Sequence, residues 1–279
     1  MTIQWFPGHM LETKNLLKKA ISKVDIVFEV LDARLPDTSA NPLVDNICKD
    51  RFRLKILNKM DLADPEHTQQ WLEYFENRSI PAVSICGSHK DQVEAVLNYC
   101  TEKITRNRAR KIKIMVIGIP NTGKSTLLNT LAGKKIAKTG NVPAVTRHQQ
   151  RTSLENNIDI YDTPGILWPI IEPERKAFIL AASGAISDTA IDYTEIAFFA
   201  ADLLIHRYPD LLIQRYPFLD DIPDDPLNLI EKIGAARGCL KKGGMVDYQK
   251  ASEALIRELR TGKIGRISFE TPKDIEHDS

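Results

Sequence analysis

The sequence predicts an α/β domain built on a mostly parallel sheet flanked by helices, followed by an all-helical C-terminal domain. Three observations carry this. Ile26-Val27-Phe28-Glu29-Val30-Leu31 is a near-continuous apolar run of the kind a strand buried on both faces shows. Comparable runs near residues 54–57, Ala82–Ile85 and Ile112–Ile117 are separated by helical stretches around 65–77 and 90–105, the alternation of βαβ units. From about residue 174 that rhythm gives way to a purely helical pattern.

Taken in order, residues 9–23 place Met10, Leu11, Leu16, Leu17, Ala20 and Ile21 at helical spacing, with Lys14, Lys18, Lys19 and Lys23 on the opposite face. The first strand exits into the loop Asp32-Ala33-Arg34-Leu35-Pro36. Two short strands, 149–154 and 158–161, flank Glu155-Asn156-Asn157 and predict a hairpin, hence one antiparallel edge. Beyond Trp168-Pro169 the chain is helical, with turns at Pro209, over 217–226 and at Gly243-Gly244. A boundary near residue 175 divides it into domains 1–174 and 175–279.

Composition narrows the function classes. Of 279 residues 43% are hydrophobic and 27% charged, which excludes a disordered tail protein, a collagen-like chain and a disulfide miniprotein. Lys plus Arg number 38 against 37 Asp plus Glu, so bulk charge does not argue for nucleic acid. Cys48, Cys86, Cys100 and Cys239 form no CxxC pair, which speaks against a metal or disulfide framework and for a reducing compartment. No run reaches the ~18 apolar residues of a membrane span, and the N-terminus lacks a secretion signal. A cytoplasmic protein with no membrane partner is expected.

Gly118-Ile119-Pro120-Asn121-Thr122-Gly123-Lys124-Ser125 matches GxxxxGK[ST], follows a predicted strand and opens a helix beginning Thr126-Leu127. Such a loop turns several backbone N–H groups onto one phosphate at a helix N-terminus. Lys124 then reaches the terminal phosphates and the Ser125 hydroxyl ligates Mg²⁺. Asp162-Thr163-Pro164-Gly165 follows the second short strand; a carboxylate there can hold the Mg²⁺ shell, through water, and the Gly165 N–H can sense a γ-phosphate. Asn58-Lys59-Met60-Asp61 closes another strand. Guanine offers a ring N–H and an exocyclic amine that one carboxylate accepts together, so Asp61 is the candidate base reader. Lys59 can lie along the ring, and Asn58 can brace the loop and meet the other edge of the base. Ser84-Ile85-Cys86, after the next strand, is the candidate backbone contact to the guanine oxygen.

A regular GTPase runs phosphate loop, switch threonine, DxxG, NKxD, then the last base loop. Here NKxD comes first and DxxG last, so the sequence reads as a circularly permuted P-loop GTPase fold. With Trp5-Phe6-Pro7-Gly8-His9-Met10 and Asp32-Ala33-Arg34-x-Pro36 added, the chain resembles the ribosome biogenesis GTPase A family. The resemblance implies GTP hydrolysis, slow alone, in late assembly of the large ribosomal subunit, with the pre-ribosomal particle and its rRNA as partners. It also implies His9 as the catalytic group, since Ile166 stands where Ras-like enzymes place a water-orienting Gln; a local helix cap is the other role open to His9. Asn121 occupies the position that in potassium-activated relatives helps hold K⁺, and is also simply a good turn residue. Thr139 and Thr146 are the switch-threonine candidates. Thr146, in Pro143-Ala144-Val145-Thr146-Arg147, fits the family pattern and would ligate Mg²⁺, although Ala144 replaces its usual glycine.

Charge is uneven along the chain. Residues 101–151 hold twelve Lys/Arg and one acid, Glu102, a candidate RNA face or a solvated helix end and linker. Arg237, Lys241, Lys242 and Lys250 form a second basic group. DxxG moves with the γ-phosphate, and here it leads directly into the helical domain, so nucleotide state is expected to control association with the particle. The alternatives are an RNA-binding scaffold with negligible turnover, and a permuted GTPase acting on the small subunit.

Overall fold

The apolar run beginning at Ile26 forms the central strand β1 (Ile26–Asp32), buried along its whole length. In the computed structural model, which describes residues 18, 20–48, 51–103, 111–136, 150–154, 157–163 and 173–277, β1 pairs in parallel with β2 (Phe52–Asn58) on one side and with β4 (Ile112–Ile117) on the other. Beyond β2 lies β3 (Ala82–Ile85), and beyond β4 lies β6 (Ile158–Asp162), both parallel. The edge strand β5 (Gln150–Leu154) runs antiparallel to β6, as the hairpin signal predicts. The sheet order is β3-β2-β1-β4-β6-β5.

Alternation along these strands divides the core between two faces. Ile26, Phe28, Val30, Leu54 and Ile56 pack with Val93, Val96, Leu97, Leu127 and Leu128. Val27, Met115 and Ile117 pack instead with Ile21, Val24 and Val44. The helix Pro65–Asn77 starts where Asp64 accepts from the Glu66 N–H at 2.8 Å, with Pro65 supplying a preset φ in the first turn. Its Trp71 and Phe75 close over Leu31 and Leu57. Glu29 interrupts the apolar run of β1, and its place is explained by register: it stands opposite Lys55, whose Nζ donates to it at 2.9 Å.

The second unit spans Glu172–Phe269, while Glu270–Ser279 belongs with the first. This differs from a helical domain running from 175 to the C-terminus. Burial of the Glu270 side chain is the reason: its carboxylate accepts from the Asp37 N–H at 2.6 Å, from the Thr38 N–H at 3.0 Å and from the Thr38 hydroxyl. Its backbone carbonyl takes the Trp71 indole N–H at 3.2 Å. Burial, together with nearby Asp37, pushes the Glu270 carboxyl up to about 7 although the Thr38 bonds oppose it.

Within the helical unit, Tyr193–Arg207 buries Ile196, Ala197, Ala200, Ala201, Leu203 and Leu204. It packs against Pro226–Ala236 and Tyr248–Arg260, capped by Asp225 and Asp247 respectively. Glu258 ties the unit together, accepting from Arg215 Nε at 2.7 Å and the Tyr216 hydroxyl at 3.2 Å, and pairing with Arg237. Arg237 is thereby partly neutralised within its own unit. The turn at Gly243-Gly244 closes a small bridge between Leu240 and Val246, with Lys241 and Lys242 exposed.

Candidate functional site

Chain direction reverses laterally at the sheet centre: from β1 the next strands add on one side, from β4 on the other. Loops leaving the carboxyl ends of β1 and β4 therefore diverge and open a crevice, the usual ligand position of such sheets. The expected nucleotide motifs sit at these ends: Asn58 closes β2, Ile85 closes β3, Gly118 follows β4 and Asp162 closes β6.

The phosphate loop has its shape from backbone conformation. Gly118 has φ +154° and Gly123 φ +91°, while Asn121 adopts φ +61°, a left-handed turn that Asn tolerates better than most residues. Gly123 is the N-cap of the helix Lys124–Ala132 and brings no side chain to its first N–H groups. Those of Ser125 and Thr126 are thus presented as an anion-binding first turn. Thr122, buried, donates its hydroxyl to the Ile119 carbonyl at 3.2 Å, and Lys124 Nζ donates to the same oxygen at 2.7 Å.

Burial pulls the Lys124 ammonium down to about 8, against the opposing field of Asp162 and with a smaller contribution from Lys59. A polyphosphate bound there restores the charge, so binding above pH 8 takes up a proton. GTP affinity is expected to fall as pH rises through 8 to 10. Fold stability moves the other way in that window, because the unfolded chain, with its ordinary lysine, holds more protons. Calorimetry at pH 7 and pH 9 in buffers of different ionisation enthalpy measures the uptake; none at pH 9 would refute this.

Asn58 joins the base loop to the phosphate loop. Its Nδ2 donates to the Thr122 carbonyl at 2.8 Å, and its Oδ1 accepts from the Gly87 N–H at 2.7 Å. Both ends of the amide are engaged as a brace, and Asn58 is buried. Lys59, at φ +63°, turns its ammonium onto Asp32 Oδ2 at 2.7 Å, and Asp61 stands exposed two residues on. Ser84 and Ile85 lie beside this loop, opposite Leu57 and Asn58, and the Ile85 carbonyl takes the Met60 N–H at 3.2 Å. The Cys86 N–H is committed to Gln92 Oε1 at 2.7 Å, so that amide is already used inside the protein.

Asp162 is buried at the end of β6, and the next residue, Thr163, donates its hydroxyl to the Val116 carbonyl at 2.8 Å, fastening DxxG to β4. Ser125 and Asp162 present a hydroxyl and a carboxylate, an all-oxygen donor set that suits Mg²⁺ held jointly with phosphates. His9, Thr146, Gly165 and Ile166 lie outside the described residues, as do most of the segment 9–23 for which a helix is expected and residues 104–110 and 137–149 of the basic segment. Two cations of that segment are internally paired: Arg151 and Lys111 both meet the buried Asp159, at 2.7 and 3.5 Å. Arg151 lies on β5 and Lys111 just before β4, and tied to Asp159 both offer less to an RNA face than their sequence position implies.

Sequence reading passed over the role of Asp32 and Arg34. Arg34, almost wholly buried, grips Asp32 through Nε–Oδ1 at 2.9 Å and Nη2–Oδ2 at 2.8 Å. Burial alone would raise the Asp32 carboxyl; Arg34 and Lys59 beside it outweigh that and hold it well below the usual range. The available signal was two opposite charges at the exit of an otherwise apolar strand.

The chain is similar to known proteins over its whole length. Residues 113–214 match the family model described as 50S ribosome-binding GTPase. Ribosome biogenesis GTPase A from Priestia megaterium is 46% identical over 286 residues, covering 99% of each chain. The solved GNP-bound YlqF from T. maritima is 29% identical, with a TM-score of 0.69, covering 94% of this chain and 99% of that one. A GDP-bound YlqF structure gives 29% and 0.68, covering 93% and 100%. With its permuted motifs gathered at one end of the sheet, the chain belongs to the ribosome biogenesis GTPase A family.

Proposed function

We propose that this protein binds GTP with Mg²⁺, hydrolyses it, and serves as an assembly factor for the large ribosomal subunit, its nucleotide state controlling association with the pre-ribosomal particle. The observation that carries the reading is the Asn58 amide. It ties the loop that would read guanine to the loop that would hold phosphate, across 64 residues of sequence. In this reading Asp61 accepts from the base, Lys59 lies along it, and the segment Ser84, Ile85, Cys86 meets its oxygen once Gln92 releases the Cys86 amide. The first-turn N–H groups of Gly123, Lys124, Ser125 and Thr126, with the Asn121 and Thr122 loop, enclose the phosphates. Bound Mg²⁺ neutralises charge on the phosphates and would be held by Ser125 and Thr146, with Asp162 acting through water. Gly165 reports the γ-phosphate, and K⁺ beside Asn121 would add positive charge.

Domain 175–279, less its last ten residues, is the proposed rRNA-binding part, with Lys241, Lys242 and Lys250 as its basic group. No described helix is long and apolar enough to cross a membrane, and a cytoplasmic location is proposed, in keeping with the bacterial relatives. Ile166 favours one other reading, a nucleotide-dependent RNA-binding scaffold with negligible turnover.

Turnover separates the two. GTP hydrolysis is expected to rise when large subunits are added and to be faster in K⁺ than in Na⁺. His9→Ala should lower the stimulated rate by about a hundredfold, the usual worth of a positioned acid or base. Full stimulated activity in that variant removes His9 from catalysis, and no turnover under any condition leaves the scaffold.

A further inference from the structure

We infer that the buried Asp32–Arg34 pair is a positioning unit that pre-sets Lys59 as a rigid platform for the guanine ring. The inference rests on the guanine reading of the 58–61 loop and goes beyond it in assigning a role to residues outside the nucleotide motifs.

The geometry runs backward from Lys59. Asp32 and Asn58 are register partners on neighbouring strands, so Lys59 leaves β2 one residue past the pair. Its side chain then turns back over the strand ends to reach Asp32 Oδ2. A lysine stem is among the most mobile of side chains, and a platform made of one must lose that freedom either in folding or on binding. The anchor on Asp32 places the loss in folding. Asp32 is itself immobile: Arg34 takes both carboxylate oxygens, the Arg34 N–H adds a bond to Oδ1 at 3.1 Å, and the Asp32 N–H donates to Ser39 Oγ at 3.0 Å.

Support continues behind the loop. Residues 37 and 38, on the same turn, are gripped by the Glu270 carboxylate, whose backbone is fixed by Trp71. A continuous set of bonds thus links the helix core to the ammonium of Lys59. Burial, with Arg34 beside it, lowers Lys59 overall although Asp32 and Asp61 oppose this, whereas Asp32 and Asp61 carry Arg34 above its usual value against burial. A fold that needed only a closed turn would not require an arginine almost wholly buried there.

The test is the double variant Asp32→Asn with Arg34→Gln, which removes both buried charges together and leaves Lys59 and Asp61 in place. Binding of GDP, ADP and inorganic pyrophosphate to the full-length protein is measured by calorimetry, with thermal melting alongside. GDP is expected to bind about tenfold more weakly, the cost of ordering one rotamer-rich side chain on binding, while pyrophosphate binds as in wild type. The single variant Asp32→Glu, which keeps the charge but moves the anchor by one methylene, should show the same split. Wild-type GDP affinity in these variants, or equal weakening of GDP and pyrophosphate, overturns the inference. If instead the wild-type protein fails to prefer GDP over ADP, the guanine reading itself is what falls.

Discussion

Asn58→Ala is expected to lower GTP affinity by about a thousandfold and to destabilise the first unit. The substitution orphans the Thr122 carbonyl and the Gly87 N–H, both held at 2.7–2.8 Å by the Asn58 amide. Each buried group left unpaired costs about 1–3 kcal/mol of stability, about 4 kcal/mol together, and if binding must re-order the two uncoupled loops at a similar cost the affinity falls by about a thousandfold. For a unit of this size the melting temperature should fall by roughly 8–16 °C. The larger effect is on binding, because the base loop and phosphate loop lose their common reference and one ligand can no longer satisfy both. Titration with a fluorescent GDP analogue, paired with a thermal melt, measures each. Wild-type affinity in this variant would mean that the two loops are not coupled through this side chain.

Gly123→Ala should damage the same contact from the other side. At φ +91° a Cβ meets left-handed strain of about 1–2 kcal/mol, and the added methyl would press into Asn58 Nδ2. Relief requires either the amide or the loop to move, and the loop carries the first-turn N–H groups. GTP and pyrophosphate affinity are both expected to fall, by about a hundredfold, since strain and displacement together cost near 3 kcal/mol. In the Asn58→Ala background the methyl has nothing to press on, so the second substitution should cost less than it does alone. Strict additivity in that cycle would show that the two residues act independently.

Much of this molecule is legible along the chain. Strands β1 and β4 announce themselves as apolar runs because a parallel strand is buried on both faces, and the β5–β6 hairpin follows from two short strands flanking Glu155-Asn156-Asn157. The phosphate and base motifs are equally plain, since each needs particular residue types at fixed local spacing. Glu29 was visible as an interruption but not as a partner of Lys55, because strand register decides that pairing. Likewise Lys111 and Arg151 read as free surface charge until the hairpin brings Asp159 between them.

What the sequence by itself determined is the chemistry available: a loop for phosphate, a carboxylate suited to guanine, and their scrambled order. Only the tertiary structure decided how these pieces hold one another, through Asn58 spanning two loops, Arg34 locking Asp32 under Lys59, and Glu270 bringing the chain end back to the first unit. The reason is physical. Motifs are written in local backbone geometry, whereas a buried polar contact depends on desolvation and on which distant group arrives to satisfy it.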